Sequence, residues 1–93
     1  MAVVLWTLAA GCGPTFYTIH LLPASRSVHE AEEAGAAEHA PYEYYYAEAH
    51  LQEAREEAGE AEYQDAIRHA KIAEEFAVKA RDLARRNMRG QGR

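Results

Sequence analysis

YQDAIRHAKIAEEFAVKARDLA, residues 63–84, places Tyr63, Ala66, Ala70, Ala73, Ala77, Ala80 and Ala84 at alternating intervals of three and four. That spacing keeps one narrow face of an α-helix turned toward a partner, as in a coiled-coil seam. The preceding stretch, PYEYYYAEAHLQEAREEA, residues 41–58, repeats the device with Tyr44, Ala47, Leu51, Ala54 and Ala58. Small seam residues let two backbones approach closely. The two stretches therefore predict an antiparallel helical hairpin turning at Gly59-Glu60-Ala61. Pro41 suits the first turn of one helix, where its missing N–H costs nothing, and Gly59 is the natural terminator. The helices are expected over 41–58 and 62–87.

Charge fits the pairing. Through residue 65 the chain holds twelve acidic and two basic residues; beyond it there are three acidic and eight basic. An acidic helix beside a basic one is complementary, although each exposed pair contributes little. The overall composition, rich in Ala and Glu, points to an all-α domain, and 93 residues allow one small core. A formal net charge of −5 argues against a nucleic-acid partner.

An alanine seam stabilises less than a leucine seam, at about 0.8 kcal/mol per buried CH₂. His69, Phe76 and Leu83, seven apart, form a second stripe beside it, with Ile72 close by. A short N-terminal helix over 28–40, or a second copy of the chain, is expected to receive that stripe. Because 28–40 offers only Val28 and alanines, cover is expected to be incomplete. Phe76 or Leu83 then remains open to a partner or to weak self-association. Tyr42, Tyr45 and Tyr46 surround the first turn of the following helix. They either cover the helix junction or present a contact surface, since Tyr is enriched in interface cores. Ile72, Phe76, Leu83, Tyr45 and Tyr46 are thus the candidate interaction residues.

Toward the other end, Val3 to Ala10 is an apolar run of signal-peptide length, too short to span a bilayer. It closes in Leu8-Ala9-Ala10-Gly11-Cys12, which resembles the lipobox of bacterial lipoproteins, with Ala9 where that family usually has Leu. The resemblance implies cleavage before Cys12 and acylation of its thiol. Several acyl chains anchor stably where one does not. Gly13 is not the Asp associated with inner-membrane retention, so the expected location is the periplasmic face of the outer membrane. The domain reading is a signal peptide over 1–11, an extended tether over 12–27 interrupted by Pro14 and Pro23, a helical domain over 28–88 and a basic tail over 89–93. A single cysteine forms no internal disulfide.

Five histidines raise the question of metal. His50, Glu53 and Glu57 share a helix face, Glu43 lies one heptad before His50, and His69 is available from the facing helix. No HExxH, cysteine pair or paired ExxH motif accompanies them, and such spacings arise by chance in a Glu-rich solvated face. No metal site, cofactor or catalytic residue is assigned. Cys12 lacks an indicated His partner for nucleophilic work. The segment 79–93 carries six basic residues and one acidic. Helix-dipole stabilisation explains part of this; contact with anionic headgroups or acidic cell-wall polymer is the alternative.

Gly35-Ala36 and Ala40-Pro41 at the helix break, Ala47, Leu51 and Ala54, then Tyr63, Ala66 and Ala70, resemble a family of small bacterial helical proteins catalogued as domain of unknown function 4398. The resemblance covers 28–84 and implies a periplasmic helical hairpin with no known activity. Gly59, Tyr63, Ala66 and Ala73 also match the turn of a tetratricopeptide repeat. Glu53 and Glu57 break the pattern of its first helix, and a single unit is no array. The functional expectation is a lipid-anchored, non-catalytic envelope scaffold or adaptor binding an envelope protein or the cell wall. The alternative is a small metal-binding or stress protein using the His/Glu faces.

Overall fold

A computed structural model describes residues 12–91 as four helices. α1 spans Cys12–Glu33, α2 is the short Ala36–His39, α3 spans Pro41–Gly59 and α4 spans Tyr63–Gln91. The apolar run and most of the lipobox lie outside the described residues; Cys12 is the first residue of α1. None of the described helices is long and apolar enough to cross a membrane.

The hairpin forms as expected. Tyr44, Ala47, Leu51 and Ala54 of α3 are buried against Ala66, Ala70, Ala73, Ala77, Ala80 and Ala84 of α4, each of these six fully inaccessible to solvent. Phe76 beside Tyr46 and His69 beside Glu57 fix the two helices as antiparallel. Twelve of the sixteen buried residues among those described are alanine. The core is therefore thin, and it is filled by bringing backbones together rather than by large side chains. Helix pairs span axial distances of about 8–10 Å depending on the contacting side chains, and methyl groups permit the short end.

The segment expected as an extended tether is instead helical. α1 continues through Pro23 and carries its own seam of Tyr17, Leu21, Ala24, Val28 and Ala31, spaced four, three, four, three. Pro14 falls in its first turn, where proline is tolerated. Pro23 removes one backbone hydrogen bond, a defect of about 3 kcal/mol in a helix interior. The carbonyl it leaves without that donor, that of Ile19, belongs to an exposed residue. Burial of the seam on α4 offsets the remainder. Tyr17 meets Tyr63 with ring centroids 6.2 Å apart, and Glu30 meets Arg81 at 3.1 Å, so α1 runs parallel to α4. The Asp82 and Glu30 carboxylates both strengthen the hold of the Arg81 guanidinium on its proton. The architecture is thus the predicted hairpin plus an N-terminal helix much longer than expected, with α4 packed between α1 and α3.

The corners differ from the sequence reading in detail. The helix expected over 28–40 breaks at Gly35, whose φ of 81° is left-handed. A Cβ there would lie 3.2 Å from the His39 ring and 3.5 Å from Met88 Sδ. The end of α4 closes this corner further, with Asn87 Nδ2 donating to the His39 carbonyl at 2.6 Å. α4 runs on to Gln91, so much of the expected basic tail is helical. At the other turn Gly59 does not terminate α3 but stays within it. Ala61 takes the left-handed conformation, φ 62°, its N–H donating to the Ala58 carbonyl while Glu62 N–H reaches the Glu57 carbonyl. This is a Schellman turn with alanine at the position where glycine is favoured.

Two expectations follow. Ala70→Leu or Ala73→Leu overpacks the seam and lowers stability by about 1–3 kcal/mol, whereas the exposed Ala49→Leu is tolerated; thermal melts ranking them otherwise would refute the seam. Ala61→Gly relieves a left-handed alanine and stabilises, by roughly 0.5–1 kcal/mol after the added unfolded-state entropy. Denaturant midpoints measure it.

Candidate functional site

The groove between α3 and α4 gathers residues that the sequence presents on separate faces. Because the two seams are mostly alanine, the side chains flanking them are forced into contact. Phe76 stacks near Tyr46, with centroids 4.3 Å apart; Tyr46 lies 4.5 Å from the His50 ring; His50 lies 5.2 Å from His69 at an interplanar angle of 28°. His69 Nδ1 is in direct contact with Glu57 Oε1, and both side chains are largely shielded. The result is a column running from Phe76 through Tyr46, His50 and His69 to Glu57.

This column corrects the expected partner of the second stripe. Phe76 and His69 are met by α3, and α1 takes the other flank of the alanine seam, where Arg81 reaches Glu30. Lys79 Nζ sits 4.7 Å from the centre of the Phe76 ring, adding to its cover. Phe76 and Leu83 are half-buried against the core and Ile72 is also half-buried, so the cover of the stripe is incomplete. Among the described residues the contact between ionisable side chains of α3 and α4 is His69–Glu57, while Arg81–Glu30 joins α4 to α1.

The tyrosine run divides as its helical positions require. Tyr44 is buried in the seam, and burial pushes its phenol above the ordinary value. Tyr42 and Tyr46 stack on one another at 5.9 Å, and Tyr45 stands edge-on to Tyr44. Tyr42 and Tyr45 remain 69% and 55% exposed. Tyr45 also borders an open groove between α1 and α3, together with Ser25, His29, Glu32 and Arg55. Arg55 donates to Ser25 Oγ across that groove at 3.2 Å. At the same end as the tyrosines, Arg85, Arg86 and Arg89 lie exposed near the end of α4, where the helix dipole favours cations.

Of the ligand types noted in the sequence, His50, His69 and Glu57 come together while Glu53 is exposed. A second grouping, Glu57, Glu62 and Asp65 at the α3–α4 turn, holds carboxylate oxygens within 4.8 Å of one another, but two of its three members are exposed. Sequence reasoning placed the apolar run Phe16 to Leu22 in the extended tether and so did not see that Phe16, Ile19 and Leu22 share an exposed face of α1. Their spacing of three was the available signal, hidden by reading the prolines as helix breakers.

His50 Nδ1 is buried without a hydrogen-bond partner. Burial lowers the pKa of this imidazole, the neighbouring His69 lowers it further, and Glu53 opposes them. The unfolded chain therefore takes up a proton at His50 more readily than the folded one. The associated stability is present above the ordinary histidine pKa of 6.5 and is lost as pH falls below it. His50→Phe keeps an aromatic ring in the column and should flatten the fall of Tm between about pH 7.5 and 5.5. An unchanged fall would show that His50 is not its source.

No curated protein and no solved structure matches this chain. The profile of one family, described as domain of unknown function (DUF4398), matches residues 20–91, from within α1 to the end of α4. The chain belongs to that family.

Proposed function

We propose that the chain is a lipid-anchored, non-catalytic adaptor of the bacterial cell envelope, held at the periplasmic face of the outer membrane through Cys12. The observation that carries this reading is the sequence Leu8-Ala9-Ala10-Gly11-Cys12 closing an apolar run, with Cys12 the first residue of α1. Lipid on that thiol would be joined to the bundle by helix rather than by a loose linker. The end of the bundle away from Cys12 carries Tyr42, Tyr45, Arg85, Arg86 and Arg89 in exposed positions. Exposed tyrosines beside arginines are residue types enriched at protein interfaces. They suit a partner with acidic groups, either an envelope protein or cell-wall polymer.

Cys12→Ser should shift the protein from the membrane fraction to soluble or uncleaved forms. Intact-mass measurement of the protein from its native host should find the chain shortened before Cys12 and heavier by acyl groups. An unmodified mass for Met1 to Arg93 would refute the anchor.

A further inference from the structure

Phe16, Ile19 and Leu22 are 58%, 56% and 59% exposed, whereas Tyr17, Leu21 and Val28 of the same helix pack into the core. At 3.6 residues per turn they form one stripe about 9 Å long, on the side of α1 nearly opposite its buried seam. Exposed apolar groups clustered in this way mark an interaction surface. Arg26, also exposed, continues the same face one turn further on. Glu30 and Glu33 come next.

Charge identifies the occupant. Residues 1–29 contain no Asp or Glu, whereas all fifteen acidic residues lie from Glu30 onward. A stripe of Phe, Ile and Leu ending in Arg, on a stretch free of carboxylate, offers apolar surface to bury and no anionic group to be repelled by headgroups, which suits a bilayer interface. The basic side chain reaches up to headgroup phosphate while the apolar ones dip below it. The stripe also begins about 6 Å along the axis from Cys12, by helical rise.

We infer that the first three turns of α1 lie along the membrane surface, with Phe16, Ile19 and Leu22 in the acyl boundary and Arg26 among the headgroups. This rests on the anchored reading above only for what brings the helix to the bilayer; the stripe itself supplies the orientation. An end-on posture is disfavoured by the α3–α4 turn, which lies beside Tyr17 and carries Glu56, Glu57, Glu60, Glu62 and Asp65. Standing upright, the bundle would press these carboxylates into anionic headgroups. Lying on the outer face of α1, it holds them on the far side of that helix. Glu30 and Glu33 then lift the second half of α1 away, and the tyrosine–arginine end points outward.

The test uses the full chain in vesicles of phosphatidylethanolamine and phosphatidylglycerol containing a phospholipid with a photoactivatable group in its acyl chain. After irradiation, fragmentation of the tryptic peptide ending at Arg26 should find label on Phe16, Ile19 and Leu22, severalfold above Tyr17, Leu21 and Ala24. Ile19→Glu should cut labelling of Phe16 and Leu22 severalfold without loss of helix by circular dichroism, because the site is exposed. Label confined to residues up to Cys12 overturns the inference and leaves the anchor standing. Label on the stripe of a chain whose mass shows no acyl group supports the inference and removes the anchor instead. An unlabelled stripe in a chain that forms a dimer in detergent, split by Ile19→Glu, overturns it in favour of a second copy.

Discussion

Close approach to the alanine face of α4 is the constraint on which the rest of the molecule depends. Six side chains on that face are reduced to a methyl group and wholly covered. Two helices can then settle against one, and anything larger is displaced to the flanks. On one flank His69 and Phe76 are pressed against Tyr46, His50 and Glu57 of α3. On the other, Arg81 reaches Glu30 of α1. The aromatic–histidine column is therefore a by-product of a thin core as much as a feature in its own right. Its lowered His50 pKa follows from partial burial in that column and from the neighbouring His69.

The same constraint places demands on the corners. Helices packed this closely need tight turns, and the two turns meet the demand differently. Gly35 adopts its left-handed conformation without strain, and Met88 and His39 crowd the space a side chain would take. Ala61 adopts a similar conformation at an open turn with a β-carbon in place. Glycine was used where both the conformation and the space required it. At the second turn, the glycine of the sequence sits two residues early, inside the helix.

Most of the hairpin was legible because alternation of three and four needs no tertiary context. Tyr44, Ala47, Leu51 and Ala54, and the alanines from Ala66 to Ala84, all took their expected places. α1 was misread although Tyr17, Leu21, Ala24, Val28 and Ala31 carry the same spacing. Pro14 and Pro23 argued locally against helix, and only packing on α4 overrides such a local signal. The flank assignments were illegible for a different reason: seam spacing fixes which face of α4 is buried but not on which side of that face each neighbouring helix lies. Tyr45 is exposed, and Phe76 is half-covered by Tyr46 within the hairpin itself.

The parallel pairing of α1 with α4 has a consequence for how the chain reaches its structure. Parallel helices cannot be neighbours through a tight turn, and Glu30 and Arg81 are separated by 51 residues. The α3–α4 pair closes across a three-residue turn and forms from local contacts, whereas α1 must find a surface that lies at the opposite end of the sequence. The helix synthesised first is thus the last to be seated. Until α4 emerges, the seam of α1 lacks the helix that covers most of it.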